Sequence, residues 1–330
     1  MRDRYGRKID YLRISVTDRC NFRCRYCRPL EGVELVGPDE VLSFEEIVQL
    51  VQIATRLGLT KVRLTGGEPL ARRGIEKLIR MLAEECELEE LSLTTNGSLL
   101  EEYAPALREA GLRRVNVSLD TLKPERFREI TRGGELEPVL RGIERALEVG
   151  LCPVKLNVVV LRDFNEDELV ELAGLARDPG LIVRFIELMP IGEARGEFFS
   201  AHYLSMTEVK GRLEEEFELQ PADGAPVPGS GPAQYFKLKI KGKEANGRIG
   251  LISPLTEGYC GGCNRLRVTA RGELRPCLAW DRNIPLREPL RSGDHRLVEE
   301  KLLQAVQEKP QGHRWDRGMV THGAIGAIGG

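Results

Sequence analysis

From about residue 10 to residue 190, a short apolar-rich run is followed repeatedly by a helical stretch. The runs predict strands at Tyr11–Val16, Lys61–Thr65, Glu90–Thr94, Arg114–Leu119, Pro153–Leu161 and Leu181–Leu188. The stretches between them predict helices near Ser43–Leu57, Arg73–Glu85, Leu100–Ala110, Glu137–Val149 and Glu166–Ala176. Gly58, Gly111 and Gly150 stand where helix C-caps belong. Strand–helix alternation at this spacing implies parallel strands joined by crossovers. Six such units predict an α/β fold of the curved, partly closed kind, a partial (βα)6 TIM-like barrel. An open doubly wound sheet is the alternative that strand counting leaves standing.

Side chains point alternately to the two faces of a strand. In these runs the apolar residues share one face and a polar set shares the other. The polar sets are Arg13, Ser15 and Thr17; Lys61, Arg63 and Thr65; Ser92 and Thr94; Asn116, Ser118 and Asp120; Lys155 and Asn157. Arg184 interrupts the sixth run. Parallel strands buried on both faces are nearly all apolar. Any one of these residues alone reads as a strand-end group meeting solvent. Their recurrence at one parity predicts a polar lumen instead. Inward cations are costly unless an anion or water fills the lumen, and the pattern predicts a cavity for a polar, multiply phosphorylated substrate.

After Pro190 the pattern changes. Pro221–Pro232 (PADGAPVPGSGP) reads as a long loop, Gln234–Ile240 and Arg248–Ile252 as β-like, Leu297–Glu308 as a charged helix, and Gly323–Gly330 as a glycine-rich tail. The expected division is a barrel over residues 1–190 and an extension over 191–330. The 330 residues carry a net charge of −2, which gives no whole-chain field for nucleic acid. The charged start leads into no apolar signal segment, and no apolar run approaches a membrane span. A soluble cytoplasmic protein is expected. In that reducing compartment its eight cysteines read as metal ligands rather than disulfides.

Cys20, Cys24 and Cys27 are spaced C-x3-C-x2-C. Three thiolates are one short of a closed four-coordinate site. An iron–sulfur cluster held this way keeps one iron open to a small molecule. Cys260, Cys263 and Cys277 form a second group, C-x2-C-x13-C. Its spacing fits a cluster or a zinc ribbon completed by His295 or His313. Arg265 and Arg267 lie two apart and face one way in an extended segment. Cys86 and Cys152 fall outside both groups and read as buried packing. Thr65-Gly66-Gly67-Glu68-Pro69 ends the second strand, where α/β folds bind ligands, and its glycines allow close backbone approach. Thr94-Thr95-Asn96-Gly97 closes the next strand in a similar place.

Taken together, these residues resemble the GTP 3′,8-cyclase (molybdenum cofactor biosynthesis protein A) family of the radical S-adenosylmethionine superfamily, over nearly the whole length. The first cysteine group with Tyr26 before its third cysteine, and the GGEP element, look like the superfamily signature. The second cysteine group, the Arg265–Arg267 pair and the terminal Gly329-Gly330 narrow it to this family. The resemblance implies a barrel of the radical SAM type and a second cluster in the C-terminal extension. It implies two 4Fe–4S clusters, on Cys20, Cys24 and Cys27 and on Cys260, Cys263 and Cys277. It implies S-adenosyl-L-methionine held by Tyr26, Gly67, Ser118 and Met189. GTP would be held by Arg13, Arg63, Thr94, Lys155 and Arg265, Leu266 and Arg267, with Lys61 and Arg184 as further basic positions. Gly329 and Gly330 would reach into the barrel near the active site.

The implied reaction converts GTP to (8S)-3′,8-cyclo-7,8-dihydroguanosine 5′-triphosphate. An adenosyl radical takes hydrogen from C3′, and the resulting radical attacks C8 of guanine. No catalytic side chain is implied beyond the cofactor chemistry. The implied partners are a reductant such as flavodoxin or ferredoxin and, downstream, cyclic pyranopterin monophosphate synthase, with a homodimer as an option. Two rival readings remain at this point: a radical enzyme that modifies a peptide, and a non-enzymatic zinc protein that binds nucleic acid.

Overall fold

The computed structural model describes residues 1–33, 35–222, 231–240, 243–315 and 321. Six strands and their crossovers open the chain. They are β1 (Tyr11–Ser15), α1 (Phe44–Arg56), β2 (Lys61–Thr65), α2 (Ile75–Glu85), β3 (Glu90–Thr95), α3 (Leu100–Glu109), β4 (Arg114–Ser118), α4 (Pro124–Thr131), α5 (Glu137–Glu148), β5 (Val154–Val160), α6 (Leu169–Gly174) and β6 (Leu181–Glu187). Local chemistry sets the ends. Ser43 accepts from the Glu46 amide while Glu46 reaches back to the Ser43 amide, so α1 starts with both donors satisfied. Gly58, at φ 86°, turns the chain out of α1 at little steric cost.

The six strands pair in parallel in chain order. A doubly wound sheet reverses direction at a switch point; this one does not, which removes the open doubly wound alternative. Unidirectional winding with right-handed crossovers puts the helices on one face and curls the sheet around the other. The apolar strand positions, among them Leu12, Ile14, Val62, Leu64, Leu93, Val115, Val117, Leu156 and Val158, are buried in the same core as the inner faces of the helices.

The later residues add α7 (Gly196–His202), α8 (Met206–Glu216), β7 (Phe217–Pro221), β8 (Gln234–Ile240), β9 (Lys243–Ile252), β10 (Arg265–Val268), β11 (Glu273–Arg275), β12 (Ile284–Pro285), α9 (Arg287–Arg291) and α10 (His295–Glu308). They flank the barrel on both sides. β9 pairs parallel with β6, and β10 pairs parallel with β1. The twelve strands form one sheet whose ends are β12 and β7, so it remains an unclosed barrel among the described residues.

Several expectations change. α4 was not foreseen between β4 and α5, nor were α7, α8 and β7. The predicted helix Glu166–Ala176 is the shorter α6 followed by a 3-10 turn at Leu175–Arg177. Cys86 is buried as expected, but Cys152 is exposed, because it lies in the loop ahead of β5 rather than within the strand. Most of the Pro221–Pro232 loop, and the tail with Gly329 and Gly330, lie outside the described residues.

Candidate active site

The loop after β1 carries Cys20, Cys24 and Cys27. It turns tightly, with the Cys27 and Arg28 amides both donating to the Cys24 carbonyl at 2.9 and 3.0 Å. It is pinned to α4 by Arg23 and Arg25 amides donating to Thr131 and Ile130 carbonyls, and by Phe22 packed edge-on against Phe127. The end of β2 closes on it from the other side. The Gly67 amide donates to Thr17 O at 2.7 Å and the Glu68 amide to Arg19 O at 2.7 Å. A Cβ on Gly67 would stand 2.1 Å from Arg19 O, so only glycine admits this approach. The buried Glu68 carboxylate then accepts from Thr95 Oγ1 (2.7 Å), Leu70 N (3.0 Å) and Asn96 N (2.7 Å), tying the ends of β2 and β3 together. Burial outweighs these bonds and pushes it up to about 7.

These ends border a cavity of about 1510 Å³, its open mouth included. Cys20, Cys24, Tyr26, Cys27, Gly66, Gly67, Ser118 and Met189 line one part. Arg13, Arg63, Thr94, Arg184, Arg265 and Arg267 line the cavity as well. Tyr26 donates its hydroxyl to Asp120 at 2.7 Å, and burial raises Asp120 to about 6. Arg184 gives Nη2 to Asn116 and Asn157, while its buried Nε has no hydrogen-bond partner. Arg63 gives Nε to Ser92, and its Nη2 stands 3.9 Å from the Glu90 carboxylate without a hydrogen bond; Thr94 Oγ1 has no hydrogen-bond partner. Buried donors left in this state call for an anionic or polar guest.

Three of the expected substrate contacts stand elsewhere. Lys155 is buried behind the lining, its ammonium 3.2 Å from the Tyr235 hydroxyl. Lys61 sits at the start of β2 and pairs with Asp10 at 2.8 Å. Leu266 points to the other face of β10, fully buried in the core. Tyr11 and Tyr259 line the cavity without having been foreseen. Tyr11 shares the parity of Arg13, so strand alternation carried its signal; no local pattern marks Tyr259.

The second triad forms its own smaller cavity, lined by Cys260, Cys263, Cys277, Lys309 and His313. Tyr259, Arg265, Arg267 and Leu278 border both cavities, so the two spaces share a wall. Arg265 lies over the Tyr259 ring at 5.1 Å. His313 donates Nε2–H to Pro254 O (2.8 Å), whereas His295 lies on α10 beside Gln49, away from the cysteines.

The thiols differ between the sites. Burial pushes Cys20 up to about 11 and Cys24 well above its usual range. Burial also opposes ionisation of Cys263, but the Arg265 and Lys309 charges outweigh it and bring that thiol down to about 6. Among the described residues no three His, Cys, Asp or Glu side chains converge as a single ion requires. Each triad instead borders one cavity, which fits a larger inorganic group bonded to each sulfur through a different iron.

Comparison with known proteins identifies the class first. Residues 14–176 match the Radical SAM superfamily, and residues 181–315 match Molybdenum Cofactor Synthesis C. Among solved structures, Streptococcus suis SuiB bound to precursor peptide SuiA aligns with a TM-score of 0.64 at 13% identity, over 92% of this chain and 66% of that one. SuiB bound to S-adenosylmethionine gives 0.61 at 14% identity, over 93% and 76%. At such identities the likeness is one of fold. The closer kinship is in sequence: GTP 3′,8-cyclase of Moorella thermoacetica is 47% identical over 331 residues, and that of Pelotomaculum thermopropionicum 47% over 332, each covering 100% of both chains. The chain belongs to the GTP 3′,8-cyclase family.

Proposed function

We propose that this protein is a radical S-adenosylmethionine enzyme that converts GTP to (8S)-3′,8-cyclo-7,8-dihydroguanosine 5′-triphosphate in molybdenum cofactor biosynthesis. The carrying observation is that two three-cysteine sites adjoin one chamber lined by inward arginines. When bound, a 4Fe–4S cluster on Cys20, Cys24 and Cys27 supplies the electron for reductive cleavage of S-adenosylmethionine, and one on Cys260, Cys263 and Cys277 offers an open iron to the guanine base.

The chain's own part is binding and orientation. The backbone at Gly66 and Gly67 can approach the methionyl end of S-adenosylmethionine closely, with Tyr26, Ser118 and Met189 around the remainder. Arg13, Arg63, Arg184, Arg265 and Arg267 neutralise the triphosphate, and Thr94 Oγ1 supplies a donor. That grip fixes the ribose relative to the adenosyl carbon, which is worth several orders of magnitude in effective concentration. So many inward cations disfavour a peptide substrate.

Residues 1–190 then serve as the catalytic barrel, and 191–330 as the extension that completes it. A one-electron carrier such as flavodoxin or ferredoxin supplies the reductant, and cyclic pyranopterin monophosphate synthase takes the product. Among the described residues no helix is long and apolar enough to cross a membrane; we place the enzyme in the cytoplasm.

The test is anaerobic reconstitution followed by incubation with GTP, S-adenosylmethionine and a strong reductant, with products read by mass spectrometry. GTP loss should match 5′-deoxyadenosine and cyclised nucleotide. Arg63→Ala should lower GTP turnover by about a hundredfold or more, the scale of a lost charge-assisted contact. Adenosyl cleavage with GTP left intact would sink the reading.

A further inference from the structure

Lys309 follows α10 and is 1% exposed. Its ammonium donates to Arg265 O at 2.7 Å and to Pro276 O at 2.8 Å. Those carbonyls belong to the two chain segments that carry the second triad: Arg265 stands two residues after Cys263, and Pro276 immediately precedes Cys277. An ammonium has three N–H donors, so two are used in joining these segments. The side chain also lines the cavity bounded by Cys260, Cys263 and Cys277. A buried lysine is costly unless something compensates its charge. The structure pairs it with carbonyls, and among the described residues no carboxylate forms an ion pair with it.

The first triad has a different setting. Its cavity includes Asp120, and Glu68 adds a carboxylate near Cys20 that the Arg28 guanidinium partly offsets. Three thiolates around a 4Fe–4S core make a net anion that grows more negative on reduction. A fixed positive charge nearby favours the reduced state, and a nearby carboxylate disfavours it.

Building on the two-cluster reading above, we infer that Lys309 is a positioning and tuning residue of the second site: it clamps the Cys263 and Cys277 segments together, and its charge sets that cluster's reduction potential above the first's. Electrons entering the loaded enzyme then settle on the second cluster first. The clamp requires a donor at this place, whereas the tuning requires a cation.

The experiment is a redox titration of the anaerobically reconstituted full-length protein, followed by electron paramagnetic resonance and iron analysis. Cys277→Ser identifies which wave belongs to the second site. In the parent protein, that wave should have the higher potential, with about eight irons per chain. Lys309→Gln, which keeps donors but loses the charge, should keep those irons while its second wave falls by a tenfold or greater change in the reduction equilibrium, about 59 mV for one electron. The first wave should stay in place. Lys309→Arg should restore most of the shift. Loss of the second cluster in Lys309→Gln with retention in Lys309→Arg would still support the inference, since the charge then governs assembly too. It is overturned if Lys309→Gln keeps eight irons and an unmoved second wave, if both variants lose the second cluster alike, or if the parent's second wave is the lower one. Only four irons in the parent would instead remove the two-cluster reading on which the inference stands.

Discussion

Lys155 and Lys61 began as equal members of a parity pattern and separate in the fold. Parity states which face of a strand a residue occupies, not how far along the barrel axis it lies. Lys61 and Arg63 share a face, but two residues of strand put them about 7 Å apart. That offset takes Lys61 to Asp10 and Glu89, and Arg63 to the cavity. Lys155 lies behind the cavity lining but within electrostatic range of its arginines. Burial, with repulsion from Arg184, Arg114 and Arg63, brings it down to about 5. A guest triphosphate cancels that repulsion and favours the ammonium. The complex therefore holds more protons than the free protein between about pH 5 and the ordinary lysine range, and affinity weakens as pH rises through that window. Calorimetry of GTP binding without S-adenosylmethionine, in buffers of differing ionisation enthalpy, should record uptake of up to one proton near pH 7.5. Lys155→Met should abolish most of it; an unchanged uptake would assign the proton elsewhere.

At the scale of elements, helices and strands with strong periodicity were legible within a residue or two, β2 to the residue. The elements that escaped were short or weakly patterned. α4 begins at a proline and has eight residues, and α7 has seven with none buried. Where two elements touch also escaped. α5 crosses α3 at Gly142, where a Cβ would lie 2.7 Å from Gly97 O and 3.0 Å from the Leu100 Cβ. Since backbone cannot yield as a flexible side chain can, Gly142→Ala should cost about 1–3 kcal/mol despite the better helix propensity of alanine. Chemical denaturation of the apoprotein checks this; equal or greater stability would show that the crossing has slack.

On the scale of the whole molecule, a residue near the start of the chain joins the segment after α10 to the second cysteine site. Arg7 is buried and ion-paired to Asp3 at 2.6 Å. It also donates to Cys260 O (2.8 Å), Gln311 O (3.0 Å) and Pro310 O (2.6 Å). Arg7→Ala would leave Asp3 and three carbonyls without this partner, a loss of about 3–5 kcal/mol. Its thermal midpoint should drop, and the reconstituted variant should fall from about eight irons toward four while the first cluster's S-adenosylmethionine-sensitive spectrum persists. Equal loss from both sites would mean that the bridge supports the barrel in general.

Local order settled the rest of what could be read in advance. Strand alternation, cysteine spacing and the GGEP turn are properties of neighbours along the chain, and they sufficed for the α/β class, both sulfur triads and most of the inward arginines, while the choice of barrel over doubly wound sheet waited on the strand order. Packing alone brought β9 and β10 to opposite edges of the parallel strands, set the second triad wall to wall with the large cavity, and buried Lys309 beneath it. Some of these relations span most of the chain: β10 pairs with β1 across more than 200 positions, as Arg7 joins Cys260. No periodicity encodes such distances; they follow from burying every apolar face at once while each buried charge finds a partner.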